Sequence, residues 1–185
     1  MIEATMQNLQ QQMDKSIASF KEAMSKLRTG RANPGMVETL TVNYYGTPTL
    51  MSQIANISAP DARTLIVQPW DAGALDEIEK AIQKAELGIT PQNDGKMIRL
   101  PMPPLTEDSR KEVVKQAGNL AEEARIAVRN IRRNGIDIFK KAQKDKELTE
   151  DDLKKAQEKV QKLTDDFTKK VDEILDQKSS DIMKV

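Results

Sequence analysis

Three stretches of apolar residues recur at steps of three and four, and this periodicity constrains the chain more than any other feature. The first runs Ile2, Met6, Leu9, Met13, Ile17, Phe20, Met24 and Leu27. The second runs Val113, Ala117, Leu120, Ala124, Val128, Ile131, Ile138 and Ala142. The third runs Leu153, Val160, Leu163, Phe167, Val171, Ile174 and Ile182. Such spacing puts each set on one face of a helix, close to a heptad seam. Each stripe is too narrow to be buried alone, so the three must cover one another. The economical arrangement is an elongated antiparallel three-helix bundle built from residues 1–29 and 106–185.

The helix ends are punctuated. Gly30 suits a helix C-terminus, and Pro34-Gly35 argues against an easy restart. Pro101, Pro103 and Pro104 precede Thr106, a candidate N-cap. No proline follows for about 38 residues, enough for a helix of roughly 57 Å. Thr149-Glu150-Asp151-Asp152 offers a cap with early acids at the start of the third helix.

Residues 31–104 follow a different pattern. Leu40, Val42 and Tyr44 alternate with Thr41, Asn43 and Tyr45, as in a half-buried strand, before a turn at Gly46-Thr47-Pro48. Thr64-Leu65-Ile66-Val67 reads as a more buried strand. Asp71 can cap a short helix carrying Leu75, Ile78, Ile82 and Ala85, with Gly88 past its end. Asn93-Asp94-Gly95 is a turn before the apolar segment Met97-Ile98-Arg99-Leu100. The expected fold is therefore α+β and mostly helical: a bundle with a small inserted α+β domain, a β/α/β sandwich. Two linkers join the parts, Gly30, Arg31, Ala32 and Asn33 on one side and Pro101, Pro103, Pro104 and Leu105 on the other. A double linker between separate cores reads as a hinge.

Composition narrows the chemistry. The chain has no Cys and no His, which removes thiolate and imidazole catalysis, disulfides and the commonest metal ligands. No Gly-rich phosphate loop is present. No metal site, cofactor or catalytic residue is expected, and an enzyme is the weaker class. The N-terminus lacks a basic region followed by an apolar run, and no stretch is long and apolar enough for a membrane span. A cytosolic, monomeric protein with no membrane partner is the expectation. The 29 basic and 29 acidic residues cancel, so any electrostatic signal must lie in their arrangement.

That signal is Arg125-Ile126-Ala127-Val128-Arg129-Asn130-Ile131-Arg132-Arg133. At 100° per residue Arg125, Arg129 and Arg132 share a face, with Arg133 beside them and no acid in the segment. Lys111, Lys115 and Lys140 extend this face, and Glu122 interrupts it. Guanidinium groups bind phosphate bidentately and stay charged at physiological pH, so the row suits a phosphate backbone. The bland alternative is a solvated face, but such faces usually mix signs, as Glu158/Lys162 and Asp166/Lys170 do. Arg28 and Arg31 flank the first linker and can add to the patch. Aromatics make up only 3 %, too few for base-stacking platforms, whereas arginine and shape suit structured RNA. Met6, Met13 and Met24 read as core filler, Trp70 as a packing residue of the small domain, and the acid pairs as caps and solvated faces.

Five segments together resemble a known family. They are Leu27-Arg28-Thr29-Gly30-Arg31-Ala32-Asn33-Pro34, Tyr44-Tyr45-Gly46-Thr47-Pro48, Ala59-Pro60-Asp61-Ala62-Arg63-Thr64-Leu65, Leu100-Pro101-Met102-Pro103-Pro104-Leu105-Thr106-Glu107 and Glu122 through Arg133. In order and spacing they are similar to bacterial ribosome recycling factor, across essentially the whole chain. The resemblance implies an L-shaped protein of transfer-RNA-like outline, with the α+β domain mobile. It implies a factor that, with elongation factor G and GTP, splits the post-termination 70S ribosome into subunits and frees it from mRNA. It further implies that Arg28, Arg31, Arg129, Arg132 and Arg133 contact large-subunit ribosomal RNA. Residues 31–104 would then meet elongation factor G. Gly118 and Asn134-Gly135 depart from the usual pattern, and each glycine weakens a helix interior by about 1 kcal/mol relative to alanine. A bundle softened near Asn134-Gly135, with a local bend, is the expectation.

Two rivals make distinct demands. A helical protein adaptor needs apolar residues left over on outer helix faces. A carboxylate-based enzyme needs two acids converging near Trp70 or Tyr45, and the spacing offers no such pair.

Overall fold

The computed structural model describes residues 1–184. In chain order it comprises α1 (Ile2–Ser25), α2 (Gly35–Glu38), β1 (Thr41–Tyr44), β2 (Thr47–Leu50), α3 (Met51–Ile54) and β3 (Ala55–Asp61). There follow β4 (Thr64–Pro69), a 3-10 turn at Ala72–Ala74, α4 (Leu75–Lys84), β5 (Gln92–Asn93), β6 (Ile98–Pro101), α5 (Glu107–Lys144) and α6 (Glu150–Met183). The chain folds into two compact units. One comprises Met1–Leu27 and the chain from Lys111 onward; the other is Arg28–Arg110.

The first unit is a three-helix bundle. Leu9, Met13 and Phe20 of α1, Ala124, Val128 and Phe139 of α5, and Val160, Phe167 and Val171 of α6 form one buried core. Leu9 of α1 meets Gly135, late in α5, while Phe20 lines a groove with Leu120 and Ala124, early in α5. Those two helices therefore run antiparallel. Between α5 and α6 Lys146 adopts a positive φ of 61°, and the amides of Glu147 and Leu148 return to the Ala142 carbonyl. Thr149 then caps α6 in a capping box with Asp152, as the sequence signature implies. Thr106 also caps as expected, accepting from the Ser109 amide at 3.1 Å.

The seam of α5 departs from the sequence reading in register. Ala121 and Phe139 are fully buried, whereas Leu120 is only partly buried and Ile138 is 45 % exposed. The true seam steps through Ile131, Gly135, Phe139 and Ala142, all buried on α5. Gly135 is thus a core position. A Cβ there would stand 2.5 Å from Leu9 Cδ1, so the missing side chain is what admits Leu9. The helix runs unbroken through Gly118, Asn134 and Gly135.

The second unit is a β/α/β arrangement. The antiparallel sheet β3-β4-β6-β5 and the ribbon β1-β2 lie in one core with α4. Leu75, Ile78 and Ile82 of α4, Val42 of the ribbon, and Leu65, Val67, Ile98 and Leu100 of the larger sheet are its buried residues.

Several of its elements differ from the sequence reading. A helical turn, α2, starts at Gly35 directly after Pro34, despite the expectation that Pro34-Gly35 blocks a restart. Pro34 has helical angles (φ −52°, ψ −32°), the Asn33 carboxamide accepts from the Gly35 amide at 3.0 Å, and buried Val37 anchors the turn. The ribbon strand β2 contains Pro48, tolerated because β2 has a neighbour on one side only. The edge strand β3 is mostly exposed and shifts register between Ser58 and Asp61, which conceals it from pattern reading. Trp70 is 70 % exposed, not packed in the core. Leu65, Val67 and Pro69 alternate inward along β4, so the next residue turns outward.

Candidate nucleic-acid interface

The outer face of α5 carries the arginine row, and its members are held in different ways. Arg125 is half-buried. Its Nε and Nη2 donate to Asp172 Oδ1 on α6 at 3.1 and 2.6 Å, and Nη1 donates to Glu122 at 3.2 Å. The Asp172 hydrogen bond raises the guanidinium further above its ordinary value. This group is neutralised inside the protein and ties α5 to α6. Arg129 is exposed and shares Glu122, donating from Nη1 to Oε1 at 3.3 Å. Glu122, read in the sequence as an interruption, is thus an acid joining two arginines.

Arg132 is held without an acid. Its Nε donates to the Gln161 carboxamide oxygen at 2.8 Å, and the Gln161 amide nitrogen donates to Asp165 at 2.8 Å. Arg133 is exposed and has no ion-pair or hydrogen-bond partner among the described residues. Arg132, Arg133 and Lys140, with Ile136, Asp137 and Gln157, line an open cleft of about 370 Å³. The row is therefore graded: neutralised at Arg125, shared at Arg129, and without an ion pair among the described residues at Arg132 and Arg133. Lys111 and Lys115 are exposed nearer the start of the helix.

Arg28 and Arg31 belong to the second unit. The Arg28 guanidinium lies over Gly88, 3.4 Å from where a Cβ on that residue would stand. Arg31 is exposed. The structure thus brings Arg132 and Arg133 together at one cleft and couples Arg125 to Arg129 through Glu122. Sequence reasoning missed the α6 partners Asp172, Gln161 and Asp165. Only the antiparallel register of α5 and α6 could have indicated them.

The linker segments are partly woven into the second unit. The Ala32 amide donates to the Ala62 carbonyl at 2.7 Å, and the Met102 amide donates to the Arg63 carbonyl at 2.6 Å. Pro101 ends β6, paired with Thr64, and Asn33 caps the turn at Gly35. Gly30, at φ +75°, lies against Leu105, whose Cγ would be 3.4 Å from a Cβ at that site.

In the same unit Tyr44 and Tyr45 stack edge-on at 4.7 Å, and the Tyr45 hydroxyl donates to Asp71. Asp71 also accepts from the Gly73 amide, and these bonds, Tyr45 first, hold its carboxyl below the usual range. No group of three or more His, Cys, Asp or Glu residues arranged to hold a metal occurs among the described residues. None of the described helices is long and apolar enough to cross a membrane.

Comparison with known proteins shows what the chain is similar to. The family model for ribosome recycling factor matches residues 20–183. The chain is 51 % identical to a ribosome-recycling factor of Caldicellulosiruptor saccharolyticus, over 95 % of this chain and 96 % of that one. It is 50 % identical to that of Brevibacillus brevis over the whole of both chains. The solution structure of a ribosome recycling factor superposes with a TM-score of 0.82 at 35 % identity, covering 100 % of this chain and 98 % of the other. A chain from models of the T. thermophilus ribosome recycling factor and E. coli elongation factor G bound to the E. coli post-termination complex matches over 100 % of both chains. Its TM-score is 0.69 at 42 % identity. The match to the family model and about 50 % identity to relatives over the full length make this chain, with its three-helix bundle and inserted β/α/β unit, a member of the ribosome recycling factor family.

Proposed function

We propose that this chain releases ribosomes from mRNA after termination, splitting the 70S particle into subunits together with elongation factor G and GTP. The observation that carries the reading is the Arg132–Arg133–Lys140 cleft on α5, in a chain with a relative in models of the ribosome-bound factor with elongation factor G. The bundle anchors on large-subunit ribosomal RNA through arginine–phosphate contacts, with release of counterions. Arg28 and Arg31 add contacts from the other unit. The GTPase acts on residues 31–104, and the segments around Gly30 and Leu105 absorb the change in angle. The continuous helices α5 and α6 transmit the load. The chain catalyses no bond change, needs no cofactor and works in the cytoplasm as a monomer; GTP hydrolysis belongs to its partner.

Co-sedimentation with 70S ribosomes at two salt concentrations, wild type beside Arg132→Ala, tests the anchor. Binding should weaken with salt and with the substitution, and subunit splitting followed by light scattering should require elongation factor G and GTP. Absence of binding by the wild type at low salt would overturn the reading in favour of a protein adaptor.

A further inference from the structure

Arginine has five N–H donors, one on Nε and two on each Nη. Which of them the protein occupies decides which edge is left for a ligand. At Arg125 a donor on each of the three nitrogens is engaged and the charge is met by Asp172 and Glu122. At Arg132 only Nε is engaged, by a neutral carboxamide. The four N–H groups on Nη1 and Nη2 have no acceptor among the described residues, and the positive charge is not cancelled.

Gln161 is itself constrained. Its oxygen accepts from Arg132 while its nitrogen donates to Asp165, one turn further along α6. Flipping the carboxamide would set N–H against N–H and oxygen against carboxylate, so one orientation is strongly preferred. Asp165 acts at one remove: it orients the amide without touching the guanidinium. Arg132 is half-buried and tethered at Nε, so little rotamer freedom remains to be lost when its outer edge meets an anion.

We infer that Gln161, oriented by Asp165, is a positioning residue of the ribosome-binding site: it fixes the Arg132 guanidinium so that the Nη1–Nη2 edge is presented to a phosphate of ribosomal RNA. The inference rests on the proposed RNA anchor and adds to it a part played by α6, which carries none of the arginines of the row. The neutral partner is essential to the role. A carboxylate at this position would orient the guanidinium as well, but it would cancel the charge that the phosphate reads.

The test is a double-mutant cycle in 70S affinity, with Arg132→Ala, Gln161→Ala and the combined variant. Gln161→Met serves as a second probe that keeps the length of the side chain and its helix propensity. Loss of one net hydrogen bond at this exposed site predicts about a fivefold to tenfold weaker affinity for either Gln161 variant. The combined variant should bind no more weakly than Arg132→Ala alone. The dependence of affinity on salt should stay that of the wild type in both Gln161 variants, because no charge is removed, and become shallower in Arg132→Ala. Wild-type affinity in both Gln161 variants, with Arg132→Ala weakened, would overturn the positioning role and leave the anchor standing. Additive losses would overturn it too, since they would mean that Gln161 acts independently of Arg132. No loss in Arg132→Ala would overturn both the anchor and the inference.

Discussion

Leu9 of α1 occupies the space that a side chain on Gly135 of α5 would fill: an added Cβ would stand 2.5 Å from its Cδ1 and 3.1 Å from its Cδ2. Leu9 is only 2 % exposed, so it has little room to rotate away. Gly118, on the same helix, has nothing within 4 Å of the position its Cβ would take.

These two glycines should respond to alanine in opposite directions. At Gly118 the gain in helix propensity is unopposed, and stability should rise by about 0.5–1 kcal/mol. At Gly135 the same gain is set against overpacking of about 1–3 kcal/mol, so the melting temperature should fall. Adding Leu9→Ala to Gly135→Ala should cost less than the two single losses together. Thermal unfolding of the four variants (Gly118→Ala, Gly135→Ala, Leu9→Ala and the Leu9/Gly135 double) decides it; a stabilised Gly135→Ala would show that Leu9 yields freely.

Arg125 and Arg132 should separate stability from binding. Arg125→Ala removes two hydrogen bonds to one Asp172 oxygen and should lower bundle stability by about 1 kcal/mol, the modest value of a partly exposed pair. Its ribosome affinity should fall less than that of Arg132→Ala. Asp172→Asn should reproduce the stability loss and leave affinity unchanged or slightly improved, because Arg125 is partly released. Parallel melting and co-sedimentation check this, and an affinity loss for Arg125→Ala as large as that for Arg132→Ala would return Arg125 to the contact surface.

Acid should loosen the start of α6. Hydrogen bonding from Thr149, its side chain first and then its main-chain N–H, holds the Asp152 carboxyl below its ordinary value of 3.8. A carboxyl lowered in the folded state contributes stability that is present above its unfolded value and lost as pH falls through the folded one. The contribution should therefore be complete at neutral pH, begin to fall below about pH 4 and vanish only below the lowered folded value. Thr149→Ala should remove about 1 kcal/mol at pH 7, and the difference from wild type should shrink in acid. Amide exchange at residues 150–153, followed across that range, reads it directly.

The fold was legible where burial follows one period over many turns. The helices showed their stripes because seven or eight apolar residues recur on each. The seam of α5 was misread where small residues occupy it. Ala121 and Gly135 carry no hydrophobic signal, so Leu120 and Ile138 drew the pattern one residue off. In the second unit, β4 was legible because Leu65 and Val67 are both fully buried, whereas the edge strand β3 buries almost nothing after Ala55. The arginines of the candidate site could be read from one helix. Their differing states could not, because Asp172 and Gln161 reach them from sequence positions 47 and 29 residues away.

The clasp of Ala32 and Met102 on neighbouring carbonyls of the β3–β4 turn bears on how the chain assembles. Once the second unit has closed on itself, its entry and exit segments are fastened to adjacent residues, Ala62 and Arg63. For the helices outside, the long intervening segment then behaves as a short connector, with little remaining loop-closure entropy to oppose α1 finding α5. During synthesis α1 emerges long before its partners, with its apolar face uncovered. An insert that folds early and holds its ends together shortens that wait. Both chain crossings lie outside the hydrophobic seam of the helices, so replacing the unit by a short linker would leave that seam uncut.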